Sequence, residues 1–280
     1  MLSIGIVGLP NVGKSSLFKA LTKQEVAIAN YPFTTINPNV GLAAVPDERL
    51  QQLGRVFPHS KIIPAAIEFI DIAGLVKDAH QGAGLGNQFL AKISEVHTLI
   101  HVVRAFENPN VPPLQALCSP DEEIEIIQKE LSHAGIVKPT LYLFNTDERE
   151  KYHFFHDREK SVIVPGEGNA IILNVQKELE KPEKIFELIK KAYKLLGLIT
   201  FFSVKSGEVR AWAISQGTKT PQAGGKIHSD FEQKFIRAEV INWQKLVEAG
   251  GWHQVKAKGR ITVKGKDYVI QDGDVIEFKV

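Results

Sequence analysis

Residues 8–15 read Gly-Leu-Pro-Asn-Val-Gly-Lys-Ser, the spacing G-x-x-x-x-G-K-S, directly after an apolar run and before a helical pattern. Glycines at both ends let successive backbone N–H groups curl around phosphate oxygens, and a helix starting there points its positive end at the same charge. The chemistry expected is nucleoside triphosphate binding and phosphoryl transfer. Lys14 is expected on the β- and γ-phosphates as the catalytic cation, and the Ser15 hydroxyl on Mg²⁺. Asn11, Val12, Gly13 and Ser16 complete the phosphate cradle.

A second phosphate-side element is Asp71-Ile72-Ala73-Gly74, at the end of a strand-like run and 57 residues beyond Lys14. Asp71 is expected to support the Mg²⁺, and the Gly74 backbone to approach the γ-phosphate. Between these elements lies a loop with Thr34 and Thr35; Thr35 is taken as the third Mg²⁺ residue, with Thr34 as the alternative.

The base reader is expected at Asn145-Thr146-Asp147-Glu148. GTPases place N-K-x-D here, with the carboxylate on the guanine N1–H and amino group. This chain has no lysine, and its fourth position is Glu148, one methylene longer. Asn145 retains the groups to pair with a purine edge, so the pattern favours ATP, because unmatched buried polar groups reduce guanine discrimination. A register using Asp147 would weaken that preference. Asn174, just after another apolar run, is assigned to the same site.

These residues need a scaffold that brings strand ends together. Over the first 200 residues, apolar runs at 4–7, 40–44, 66–70, 99–103, 140–144 and 170–173 alternate with helical patterns at 14–22, 87–97, 122–131 and 183–196. That order predicts an α/β fold, a P-loop domain with a mostly parallel sheet flanked by helices, over 1–196. From about 197 to 280 the pattern shifts to short strand-like pieces at 200–204, 209–214, 260–263, 268–270 and 275–280, with one helix-like stretch at 229–235. A small β-rich second domain is expected there, with Trp212, Phe231, Phe235, Trp243 and Trp252 as core.

At 280 residues, 44% hydrophobic and 24% charged, the chain is too ordinary in composition for a disordered, fibrous or rod-like protein. The single cysteine, Cys118, leaves no intramolecular disulfide partner and no Cys-based zinc site, and it fits a reducing compartment. No apolar run is long enough for a membrane helix. A soluble, cytoplasmic protein is expected. Residues 201–280 hold 13 Lys+Arg against 9 Asp+Glu, a +4 balance within a total of +2, which suggests an anionic partner for this part.

Taken together, residues 5–16, 30–39, 69–90, 101–108 and 145–148 and the block 208–280 resemble the Obg-like ATPase family of YchF type, a branch of the P-loop GTPase superfamily. The resemblance implies a ubiquitin-like TGS domain at 197–280, preference for ATP over GTP, slow hydrolysis, and association with ribosomes or RNA. The cations Lys226, Lys234, Arg237, Lys256, Lys258 and Arg260 would meet RNA phosphates. It also implies K⁺ beside the phosphates, with Asn11 as the ligand. The family's long helical arm would fall within 107–139, where only one helix fits, so the arm is reduced or absent. Pro113 stands where family members carry a histidine that assists hydrolysis, and Leu75 where Ras-like enzymes place their water-orienting glutamine. His101, inside a strand pattern, reads as a satisfied structural residue, and 82–86 as a glycine-rich switch ordered by the γ-phosphate. A regulatory ATPase is thus the leading expectation. The alternatives are a GTPase of ribosome assembly and a binding module stabilised by a nucleotide it does not turn over.

Overall fold

Every residue of β1 (Ser3–Val7) is buried, and all but Ser3 are apolar or glycine, as the middle of a parallel sheet requires. Then come α1 (Lys14–Thr22), β2 (Val40–Ala44), α2 (Glu48–Val56), β3 (Lys61–Ile63), β4 (Ala66–Asp71), α3 (Leu85–Glu95), β5 (Thr98–Ala105), α4 (Pro120–His133), β6 (Thr140–Thr146), β7 (Ala170–Leu173), α5 (Val175–Glu178) and α6 (Glu183–Leu195). The chain continues through β8 (Leu198–Lys205), β9 (Glu208–Ser215), α7 (Thr220–Ile227), α8 (Ser229–Gln233), β10 (Arg237–Asn242), α9 (Trp243–Ala249), α10 (Trp252–Ala257), β11 (Thr262–Lys264) and β12 (Asp274–Lys279). The structure is a computed structural model and describes residues 2–23, 38–72, 85–111, 119–147, 169–205 and 207–280.

Two units divide the chain: residues 1–43 with 67–196, and residues 44–66 with 197–280. In the first, the sheet order is β2-β4-β1-β5-β6-β7. The pairings β4–β1, β1–β5, β5–β6 and β6–β7 are all parallel. These five strands therefore end on the same edge, which gathers their carboxyl ends in one place. The chain order reverses around β1, where open α/β sheets form their ligand crevice.

Local signals explain the helices. Ser119 and Glu122 close a capping box at the start of α4, with Pro120 in its first turn. In contrast, α1 begins at Gly13 in the left-handed region (φ 105) with no side-chain cap and no acidic residue in its first turn. Its first N–H groups are left to an outside acceptor.

The second unit has the sheet order β11-β10-β12-β8-β9-β3. The segment 44–66, which the sequence pattern assigns to the first domain, belongs here. Its strand β3 pairs in parallel with β9, and α2 packs on α9 and β9. Arg49 of α2 bridges Asp47 and Asp272, each at 2.7 Å, and lies over the Phe202 ring. Phe201, Ile214, Phe235, Val240, Ile276 and Phe278 form the core, with Trp212 and Phe231 packed against it.

The unit is less β-rich than expected. Helices α7, α9 and α10 occupy stretches not predicted to be helical, and 268–270 contains only an isolated bridge between Lys219 and Val269. Helices of six to eight residues span too few turns to show a 3.6-residue period. Leu85 and Gly86, expected in a glycine-rich switch, start helix α3; residues 82–84 lie outside the described residues. Among the described residues no helix is long and apolar enough to cross a membrane.

Candidate functional site

A cavity of about 390 Å³ opens at the carboxyl edge of the first sheet. Asn11, Gly13, Lys14, Ser15 and Ser16 line it from the turn after β1. Phe106, Glu107, Asn108 and Val111 line it from the segment after β5, Asn145 and Thr146 from the end of β6 with Asp147 just beyond, and Asn174 to Gln176 from the start of α5.

The turn after β1 has a demanding backbone. Asn11 is left-handed at φ 65 and Gly13 at φ 105. A Cβ on Gly13 would stand 2.5 Å from Asn145 Nδ2, so that position needs glycine for both conformation and space. Val12 does not line the cavity: its side chain is buried, and its carbonyl oxygen accepts from Asn145 Nδ2 at 3.0 Å.

Lys14 is 8% exposed and its Nζ donates to the Leu9 carbonyl oxygen at 2.8 Å. Burial lowers its pKa, while Asp71 and Glu123 pull the other way. Ser15 Oγ donates to Asp71 Oδ2 at 3.1 Å, so the hydroxyl and the carboxylate assigned to the metal meet although they are far apart in sequence. They fit a hard cation that takes oxygen ligands. Among the described residues there is no cluster of three metal-ligating side chains, so such an ion would complete its shell with phosphate oxygens and water.

Asn145 has a role the sequence reading did not give it. Its Nδ2 is engaged with Val12 O, and its Oδ1 accepts from the Val175 N–H at 3.1 Å. The amide braces the phosphate turn against the start of α5 rather than pointing both ends at a base. Asn174 borders the cavity and also caps α5, accepting from Lys177 N at 3.0 Å. Thr34, Thr35, Gly74, Leu75, Pro113 and Glu148 lie outside the described residues. Asp147, the alternative carboxylate, lines the cavity and accepts a long 3.4 Å bond from Glu107 N.

Among the polar side chains buried in this unit are His101 of β5, which the sequence pattern reads as structural, and Glu123 of α4, which it does not single out. His101 is 2% exposed and its Nε2 has no hydrogen-bond partner among the described residues, so it is not the satisfied histidine expected. Burial, and secondarily Lys14, lower its pKa to about 3, so it is neutral at physiological pH. Glu123 is also buried, and its pKa is raised by that burial to about 7. The signal available for Glu123 was a third consecutive acid in a first turn that a capping box had already satisfied.

Residues 3–146 match the MMR_HSR1 family model, described as "50S ribosome-binding GTPase". Residues 198–280 match YchF-GTPase_C, "Protein of unknown function (DUF933)". The Ribosome-binding ATPase YchF of Bacillus subtilis is 37% identical over 361 positions, covering 99% of both chains. The chain belongs to the YchF family. The YchF proteins named Ribosome-binding ATPase from Buchnera aphidicola (of Schizaphis graminum) and Escherichia coli O157:H7 are each 36% identical, with 98% of both chains covered. The YchF GTPase of Schizosaccharomyces pombe has the same fold, with a TM-score of 0.78 at 29% identity over 99% of this chain and 97% of that one. The YchF alignments run over 354 to 361 positions against 280 residues here, so these relatives contain a stretch with no counterpart in this chain.

Proposed function

We propose that this protein is a magnesium-dependent nucleotide switch that hydrolyses ATP slowly and binds ribosomes. The observation that supports it most directly is the Ser15–Asp71 contact beside Lys14, at the uncapped start of α1 and the mouth of the cavity. Triphosphate oxygens would take the N–H groups at the start of α1 and draw Lys14 Nζ from the Leu9 carbonyl. Ser15 would ligate Mg²⁺ directly, Asp71 would support it through water, and Thr35 would complete the set. The ion would neutralise charge on the β- and γ-phosphates. Gly74 would offer a backbone N–H to the γ-phosphate. Leu75 has no group to orient water and Pro113 none to assist proton transfer, which is the reason for slow turnover. Asn11 would hold a K⁺ ion against the phosphates.

Preference for ATP rests on Thr146 standing where GTPases place lysine, on Glu148 as the longer fourth residue, and on the three relatives named as ATPases. We assign residues 197–280 to a TGS-like domain, with Lys226, Lys234, Arg237, Lys256, Lys258 and Arg260 as its ribosomal RNA contacts. The helical arm is reduced to α4 and its flanks within 107–139. The site of action is the cytoplasm, where ribosomes are.

The test is phosphate release from ATP by the full chain with Mg²⁺, with and without ribosomes, alongside cosedimentation. The expected result is slow ATP turnover, nucleotide-dependent ribosome binding, and loss of both in Lys14→Ala. Turnover in Lys14→Ala equal to the unmutated protein would refute the assignment. Tight ATP binding with no turnover, even with ribosomes, would leave a nucleotide-stabilised binding module. A second reading, GTP as substrate, is favoured by one observation: Asp147 lines the cavity, where a carboxylate can take the guanine donors.

A further inference from the structure

Glu123 is 3% exposed in the first turn of α4, although its neighbours Asp121 and Glu122 in that turn are not buried. The helix does not need it as a cap, since Ser119 and Glu122 already form the capping box. Its Oε2 instead accepts from the backbone N–H of Arg104 at 2.9 Å. The register explains why Arg104 needs such a partner. Pairing of β1 with β5 ends at Val7 opposite His101, while β5 runs on to Ala105, so its last residues have no β1 residue beside them. Glu123 supplies the acceptor there.

Arg104 passes the constraint on. Its guanidinium lies 4.2 Å from the centre of the Phe106 ring, and its Nε donates to the Phe106 carbonyl oxygen at 3.2 Å. Phe106, Glu107 and Asn108 form one wall of the cavity. We infer that Glu123 is a positioning residue for nucleotide binding, acting through Arg104 to hold the 106–108 wall in place. A carboxylate out of water next to Arg104 and within the field of Lys14 is a costly arrangement, and burial pushes it towards the neutral form. Its fixed geometry, not solvation, makes it useful. The inference rests on the nucleotide reading above and adds a residue to it that makes no contact with the cavity.

A double-mutant cycle on the full chain tests it, with ATP affinity in the presence of Mg²⁺ as the readout. Glu123→Ala is expected to raise the Kd for ATP about tenfold in the unmutated background, but by less than about twofold when Phe106→Ala is already present. Glu123→Gln keeps an oxygen for Arg104 N–H and should restore affinity to within about threefold. Arg104→Met breaks the relay from its other end and should show the same dependence on Phe106, which serves where Glu123→Ala does not fold. General loosening of the fold would lower affinity by the same factor in both backgrounds. Such additivity, or an unchanged Kd in Glu123→Ala, would overturn the assignment of Glu123 alone. Failure of the unmutated protein to bind ATP or GTP would overturn the nucleotide reading on which it rests.

Discussion

Asn145 holds Val12: its Nδ2 donates to the Val12 carbonyl oxygen across 3.0 Å, from the end of β6 to the turn that cradles phosphate. Its other end accepts from Val175 N, so one side chain joins the ends of three parallel strands. Asn145→Ala would leave a buried carbonyl and a buried N–H without partners, each costing about 1–3 kcal/mol. The expected loss of stability is at least about 2 kcal/mol, read from the urea midpoint, with weaker nucleotide binding. A variant within about 0.5 kcal/mol of the unmutated protein would show that the brace is dispensable.

Glu123 and His101 should pull the pH dependence of stability in opposite directions. With its folded pKa raised to about 7, Glu123 makes the folded state hold the extra proton above the ordinary carboxylate range, so stability falls as pH rises from about 4.5 to 7. With its folded pKa lowered to about 3, His101 makes the unfolded state hold the extra proton, so stability rises between about 3 and 6.5. The two cancel where the windows overlap. Glu123→Gln removes one arm, so the unmutated protein should lose stability relative to the variant by about 1.4 kcal/mol per pH unit from about 4.5 to 7. Denaturant titrations at four pH values would check this. A constant difference would mean that Glu123 titrates normally.

Asn11 borders the cavity with a left-handed backbone, at the position proposed for K⁺. ATP turnover should be at least about tenfold faster in K⁺ than in Na⁺, the scale of one well-placed electrostatic group at a transferring phosphate. Asn11→Ala should bring the K⁺ and Na⁺ rates to the same value. Equal rates in the two salts for the unmutated protein would eliminate the cation.

The turn at 8–15 and the parallel sheet were legible because each depends on a short local pattern. Glycine spacing announced the turn at 8–15, and the alternation of apolar runs with helices announced the parallel sheet. The wall at 106–108 was not legible from local pattern: Phe106 and Asn108 stood out only within the resemblance at 101–108, and their place at the cavity shows once the ends of β5 and β6 are laid side by side. Residues 44–66 were misassigned because β3 is only three residues long and its partner β9 lies far along the chain. Asp47 caps α2, its side chain accepting from Arg49 N, but a cap says where a helix begins and not which core covers it. The unpartnered Nε2 of His101 and the burial of Glu123 were hidden for a related reason. Burial of a polar side chain depends on what packs over it, and period and spacing do not report that.

The measurement that tests the central claim most directly is ATP and GTP affinity side by side, on the full chain with Mg²⁺ and K⁺. The expected result is ATP tighter by tenfold or more, about 1.4 kcal/mol. Equal affinities, or tighter GTP, would contradict the claim and make Asp147 the base reader of a GTPase.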